Sequence, residues 1–276
     1  MRVFILALDG LEHDLVVKWR LKNLQQVRYG KFVVKKEYYH EEAGVPFSPK
    51  VWVSLITGRK PSEHGIRDWW TYGKILDRIR YLPLIRHIKN KRKVLWKLGI
   101  RPRIVNRRDL RITTLFDKVK PSVAVNVPGY NDPTVFYERL KNAFYRGVNE
   151  YAKEIWRVHA DRVRATFKAL ENTADWRLFM TYFDLADLIG HIFFVKKRLA
   201  VMRAYLELNS LAKKLQERVP DDTIFLIISD HGMQISTDRV TGNHSDHAFW
   251  SLNREGNWKP KDFIDIHRKV LEWVRN

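Results

Sequence analysis

The chain has 276 residues, of which 45% are hydrophobic and 30% charged, with no cysteine and a formal net charge of +20. Without cysteine there are no disulfides, thiolate metal sites or cysteine nucleophiles, so a metal must be held by His, Asp, Glu or other oxygen donors. The charge selects anionic partners such as phosphorylated metabolites, nucleic acid or an acidic surface, and no run approaches the roughly 20 apolar residues of a membrane span.

In chain order, residues 3–8, VFILAL, read as a buried strand ending at Asp9-Gly10. The lone positive charge before it and the lack of a small-residue cleavage site favour a strand over an export signal, and hence a cytoplasmic location. Residues 51–57, VWVSLIT, suit a helix or a strand, and a helix opening near Ser48-Pro49 is preferred, since proline suits a first helical position. Residues 122–127, SVAVNV, form a strand closed by Pro128-Gly129, and 150–172 have helical apolar spacing. A strand over 176–183 ends at Asp184, and a long helix covers 197–217. A strand over 223–228 ends at Ser229-Asp230, and a last helix spans about 260–275.

Strands alternating with helices predict an α/β layered domain with a largely parallel sheet. Ligands in such sheets sit beyond the carboxyl ends of the strands. Three strands here end on acids: Asp9, Asp184 and Asp230. Residues 69–120 interrupt the alternation with 16 Lys or Arg against 3 Asp, and carry Trp69, Trp70 and Trp96. They are expected to be a basic inserted cap between core segments 1–68 and 121–276. Such a stretch is a solvated face, a cap for an anionic substrate, or a single-stranded nucleic-acid surface. Lack of cysteine with abundant Lys, Arg and Glu also fits a thermophile.

The chemistry concentrates in four segments: ALDGLEHD; FSPKVWVSLITGRKPSEHGI at 47–66; FDLADLIGH at 183–191; and SDHGM at 229–233, followed by GNHSDHAFWSLN at 242–253. Asp187 and His191, four apart, share a helical face and can reach one ion. Asp230 and His231 are adjacent and can serve one ion from a turn. His244 or His247 supplies a further imidazole. With no sulfur donor, zinc or manganese suits this set better than copper.

Together and in this order, these segments resemble the alkaline phosphatase superfamily, and within it the type I phosphodiesterase and nucleotide pyrophosphatase family. The resemblance covers residues 3–66 and roughly 121–253. It implies a three-layer α/β/α sandwich with two divalent metal ions, zinc or manganese. Asp9, Asp230 and His231 would bind one ion, and Asp187, His191 and His244 the other. Ser48, six residues before Ser54 of the S-x-x-T-G segment, would be the nucleophile and would also bind the first ion. The implied reaction is hydrolysis of phosphodiester or phosphoanhydride bonds in a phosphorylated small molecule or nucleotide, through a seryl-phosphoryl intermediate. His244 is preferred to His247 because Ala248-Phe249-Trp250 follows it at the family's spacing.

The match departs at two points. Trp69 stands where the family has an asparagine that donates to the phosphoryl oxygen, so Lys50 or Arg67 is expected to supply a cation to the substrate. Proline follows Ser48 by one residue, at Pro49, instead of two. Lys50 and Arg67 also keep a phosphomonoesterase or phosphosugar mutase in view. A non-catalytic nucleic-acid-binding protein is the alternative from another class, favoured by the charge. A sulfatase is disfavoured, because SPKVW does not fit its C/S-x-P-x-R motif. His64 is expected to be structural, Asp184 to cap the helix bearing Asp187, and His13, His40, His87, His159 and His267 to serve surface or packing roles.

Overall fold

The computed structural model describes residues 1–80, 82, 95 and 99–275. Its strands are β1 (Val3–Leu8), β2 (Arg28–Val33), β3 (Trp70–Thr71), β4 (Arg103–Ile104), β5 (Ser122–Val125), β6 (Leu178–Phe183), β7 (Ile224–Ile228), β8 (Met233–Ile235), β9 (Gly242–His244) and β10 (His247–Leu252). Six of them form one sheet in the order β2-β10-β7-β1-β6-β5. β5, β6, β1 and β7 are parallel, and β10 is antiparallel to both β7 and β2. The central strands β1, β6 and β7 are buried at every residue. Helices cover both faces of a parallel sheet, so its strands read as continuous apolar runs.

Each face has its own core. On one side helices Val148–Asn172, Leu185–Phe193 and Arg198–Gln216 pack on Phe4, Leu6, Phe179 and Phe225. On the other, helices Ser48–Thr57 and Phe263–Arg275 pack on Val3, Ile5, Met180 and Leu226. The first of these last two stops at Gly58, whose φ is +67°, and a Cβ there would come within 2.5 Å of the His267 ring. Helix Ser48–Thr57 is thereby held against its neighbour, which fixes where its N-terminus lies above the sheet.

The expected elements are present with shifted ends. β6 begins at Leu178, β7 at Ile224, and β5 stops at Val125 because Asn126 takes a left-handed φ of 56°. The antiparallel pair β2 and β10 and helix Thr134–Tyr145 are additions. β2, RYGKFV, is a half-exposed edge strand, and charged edge positions dilute the apolar signal of a strand. Asp184 sits at the N-cap position but makes no side-chain cap bond. Its carboxylate instead accepts from Arg162 Nη2 at 3.0 Å, because a buried guanidinium is a stronger partner than a helix N–H.

Within the basic stretch, β3 pairs with β4, and Leu110, Leu115, Phe116 and Val119 join the core beside helix Ser48–Thr57. Trp96 and His87 lie outside the described residues. Among the described residues, no helix is long and apolar enough to cross a membrane.

Candidate metal centre

The parallel register builds the site. Leu8 lies opposite Phe183, and Ala7 opposite Ile228, so Asp9, Asp184 and Asp230 emerge side by side at the carboxyl edge. Gly10 turns the chain away with φ +67°, and a Cβ there would lie 2.7 Å from Asp187 Cα. This close approach brings Asp9 and helix Leu185–Phe193 into one site.

Asp9 is buried and oriented from one side. Its Oδ2 accepts from Trp52 Nε1 at 3.1 Å and from the Tyr182 hydroxyl at 2.7 Å. Its Oδ1 faces Ser48 Oγ at 3.5 Å and His231 Nε2 at 3.4 Å. Ser48 Oγ is also 3.3 Å from His231 Nε2. Asp230 accepts from the Gly10 N–H at 3.3 Å through Oδ1. Its Oδ2, 3.3 Å from His231 Nε2, has no hydrogen-bond partner despite complete burial.

The three histidines share one arrangement. Nδ1 lies 3.1 Å from the Gly242 carbonyl in His191, 2.9 Å from the Gly232 carbonyl in His231, and 2.7 Å from the Pro46 carbonyl in His244. A carbonyl only accepts, so each Nδ1 carries a proton and each ring, when neutral, presents an Nε2 lone pair. Those lone pairs converge. His191 Nε2 and His244 Nε2 are 3.0 Å apart. Asp187 Oδ1 lies 3.2 Å from His191 Nε2, 3.5 Å from His244 Nε2 and 3.9 Å from His231 Nε2. It too is buried without a hydrogen bond.

Electrostatics show the same deficit of positive charge. Burial, then the charge of Asp9, pushes Asp230 up to about 8. Burial disfavours charge on His231, yet Asp230 and Asp9 outweigh it and raise the ring to about 10. Asp187 raises His191. Burial and the His231 charge push His244 down to about 4. Burial would raise Asp187, but the three imidazoles hold it well below the carboxylate range. The buried carboxylates thus favour positive charge among them. Two orphaned buried carboxylate oxygens and three aimed Nε2 lone pairs fit divalent cations, because an unpaired buried charge is costly.

Asp9, Asp230 and His231 form one group with ligand atoms within 4.8 Å of one another, and Asp187, His231 and His244 form another. His231 is common to both, and His191 borders the second. His247 bonds Glu12 Oε1 at 2.8 Å instead. Lys50 is buried, donates to the Tyr39 carbonyl at 2.6 Å, and has its pKa lowered mainly by burial. Arg67 lines a cavity of about 490 Å³ with His64, Ile66, Trp70, Asp109 and Arg111. His64 bonds Ser54 Oγ at 2.9 Å.

Sequence reasoning overlooked Glu12, Trp52 and Tyr182. A phenol hydroxyl one residue before the end of the buried LFMTYF strand is a usable signal for Tyr182. Glu12 has none, since its partners Met233, Ser245 and His247 are more than 200 residues away.

A family model described as type I phosphodiesterase / nucleotide pyrophosphatase matches residues 3–251. Among solved structures, the chain is similar to phosphonoacetate hydrolase from Sinorhizobium meliloti in complex with phosphonoformate. The TM-score is 0.51 and the identity 13%, over 87% of this chain and 59% of that one. It is also similar to murine ectonucleotide pyrophosphatase / phosphodiesterase 5, with a TM-score of 0.45 and 16% identity over 86% of this chain and 59% of that one. The chain thus spans 59% of the length of either relative, and at such identity the likeness to the hydrolase is one of fold. No curated protein sequence matches it.

Proposed function

The chain belongs to the type I phosphodiesterase / nucleotide pyrophosphatase family, and from that premise we propose that it is a metal-dependent hydrolase of phosphodiester or phosphoanhydride bonds, with Ser48 as nucleophile. The observation that carries the reading is the position of Ser48 Oγ. It lies 3.3 Å from His231 Nε2 and 3.5 Å from Asp9 Oδ1, at the edge of a cluster of buried carboxylates and imidazoles.

Asp9, Asp230 and His231 would hold one divalent ion and Asp187, His191 and His244 a second, with zinc favoured and manganese next. When bound, such ions lower the pKa of a nearby hydroxyl and neutralise charge on phosphoryl oxygens.

The chain's own groups do the rest. Ser48 opens helix Ser48–Thr57, so a phosphoryl group attached to its Oγ sits at the positive end of a helix. Asp9 Oδ1 accepts the hydroxyl hydrogen bond and orients Oγ for attack. Trp52 and Tyr182 lock the Asp9 carboxylate through its other oxygen, leaving Oδ1 aimed at the reacting centre. Attack by Oγ displaces the leaving group and gives a phosphoserine ester, which water then cleaves to restore the hydroxyl.

The basic stretch 69–120 is read as the cap over the substrate, with Arg67 at its root contributing positive charge to a phosphorylated small molecule or nucleotide. Lys50, two residues after Ser48 and bonded to the Tyr39 carbonyl, is the second candidate for that charge.

The test is a paired assay of a nitrophenyl phosphodiester and the matching monoester, after chelator stripping and after restoring zinc or manganese. Diester cleavage that needs both metal and Ser48 supports the reading. Preference for the monoester would replace it with a phosphatase or mutase. Absence of both turnover and bound metal would leave a nucleic-acid-binding protein.

A further inference from the structure

Helices Val148–Asn172 and Arg198–Gln216 run alongside each other in the same direction. The Arg203 guanidinium lies 4.8 Å from the centre of the Trp156 ring, and one turn further His159 Nε2 lies 3.6 Å from Glu207 Oε1. Counting back from these contacts at the rise of a helix brings both N-termini to one end of the molecule. The chain entering the first helix carries Phe144, Tyr145, Arg146 and Val148. The chain entering the second carries Val195, Lys196, Lys197, Arg198 and Leu199. All of these side chains are exposed, Tyr145 at 76% and Leu199 at 75%.

The metal centre lies at the same end, because each helix leads into a parallel strand of the sheet and so starts beside the strands' carboxyl edge. Helix Leu185–Phe193, which bears Asp187 and His191, runs directly into the turn that presents Val195 and Lys196. The Phe144 ring lies 5.5 Å from that of Tyr151. Burial, then the Asp187 and Asp184 charges, raises the Tyr151 pKa. The β8–β9 hairpin, which delivers His244, displays Ile235 at 60% exposure, and its Asp238 is lowered first by the Thr241 bonds and least by the Lys196 charge.

Exposed apolar side chains scattered singly need no explanation, but a cluster of large ones marks a contact surface. Here aliphatic and aromatic residues alternate with cations along both entering segments. Lys197 Nζ lies 4.6 Å from the centre of the Phe193 ring, and the Arg198 guanidinium 5.0 Å from that of Phe194, so these cations are anchored at the rim. A nucleic acid would satisfy the cations and leave Leu199, Val195 and Ile235 in water. An anionic bilayer satisfies both, with acyl boundary for the apolar groups and headgroup charge for the cations.

We propose that this end of the molecule docks on an anionic lipid bilayer, with Tyr145 and Leu199 entering the interface and Arg146, Lys196, Lys197 and Arg198 facing the headgroups. Docking in this pose brings the carboxyl edge of the sheet, which carries the metal centre, toward the headgroup plane. The inference concerns attachment and does not depend on the hydrolase reading.

The test is sedimentation of the full chain with phosphatidylcholine vesicles, with and without phosphatidylglycerol. The wild type binds the anionic vesicles at least about tenfold more strongly than the neutral ones. A Tyr145→Ser/Leu199→Ser variant loses about tenfold or more of that binding, and Lys196→Gln about fivefold. Each keeps the wild-type melting temperature and its rate on a soluble nitrophenyl diester, because none of these residues belongs to the catalytic machinery. Failure of the wild type to bind anionic vesicles overturns the proposal, as does binding that both variants retain in full. Binding that an oligonucleotide abolishes while the apolar variant keeps it would also overturn the proposal and make this a nucleic-acid face. Loss of diester turnover with vesicle binding intact would bear on the catalytic reading alone.

Discussion

His231 and His244 stack face to face, with ring centroids 3.6 Å apart and planes 15° from parallel. One ring comes from the turn after β7 and the other from the end of β9, and each has its Nδ1 committed to a backbone carbonyl. Two buried imidazoles this close cannot both be cationic, as the opposite pKa displacements of His231 and His244 record. Neutral rings presenting their Nε2 lone pairs to divalent ions would remove the conflict.

Metal binding is therefore expected to stabilise the fold. A ligand at a hundred times its dissociation constant adds about 2.7 kcal/mol. Chelator treatment should lower the melting temperature and zinc should restore it. His244→Ala should bind less metal by elemental analysis and lose part of the rise. A melting temperature indifferent to chelator and zinc would count against the centre.

Ser48→Ala should cut diester hydrolysis by at least about 10³-fold while leaving bound metal and melting temperature near wild type. Retention of activity within roughly tenfold would assign the nucleophile elsewhere, since each tenfold is about 1.4 kcal/mol of barrier.

Glu12 ties the site together. Its carboxylate accepts from His247 Nε2 at 2.8 Å, the Met233 N–H at 2.9 Å and Ser245 Oγ at 3.1 Å. Burial would raise Glu12, but the bonds from His247, the Asp14 N–H and the Met233 N–H hold it below its ordinary 4.5. Burial would lower His247, but the bond to Glu12 raises it above its ordinary 6.5. The Glu12 contribution is present above pH 4.5 and fades as pH falls through its lowered value. The His247 contribution is full below pH 6.5 and fades as pH rises through its raised one. The pair should thus stabilise most between those two limits. Glu12→Gln should cost about 1–3 kcal/mol there and flatten both limbs, as urea melts across the window would show.

Arg162 is wholly buried and bridges Asp132 Oδ1 at 2.7 Å and Asp184 Oδ2 at 3.0 Å, with Asp132 also bonded by the Tyr137 hydroxyl. Removing one member of such a set leaves buried charge unpaired. Arg162→Ala should destabilise the chain by about 3–5 kcal/mol in urea melts. A cost below about 1 kcal/mol would mean that the two carboxyls fold in protonated form, the direction in which burial drives both.

The sequence by itself determined the strands that end on Asp9, Asp184 and Asp230, the helical pairing of Asp187 with His191, and the order of motifs that marks the family. Those features are local: apolar runs, a four-residue spacing, adjacent residues in a turn. The tertiary structure decided what no spacing encodes. It brought His231 between two groups of donors, put His247 on Glu12 from 235 residues away, gave the Asp184 carboxylate to Arg162, and turned Lys50 toward the Tyr39 carbonyl. Polar side chains have short reach and strict geometry, so their partners are chosen only when the sheet register and helix packing have set which distant backbones lie within a few ångströms.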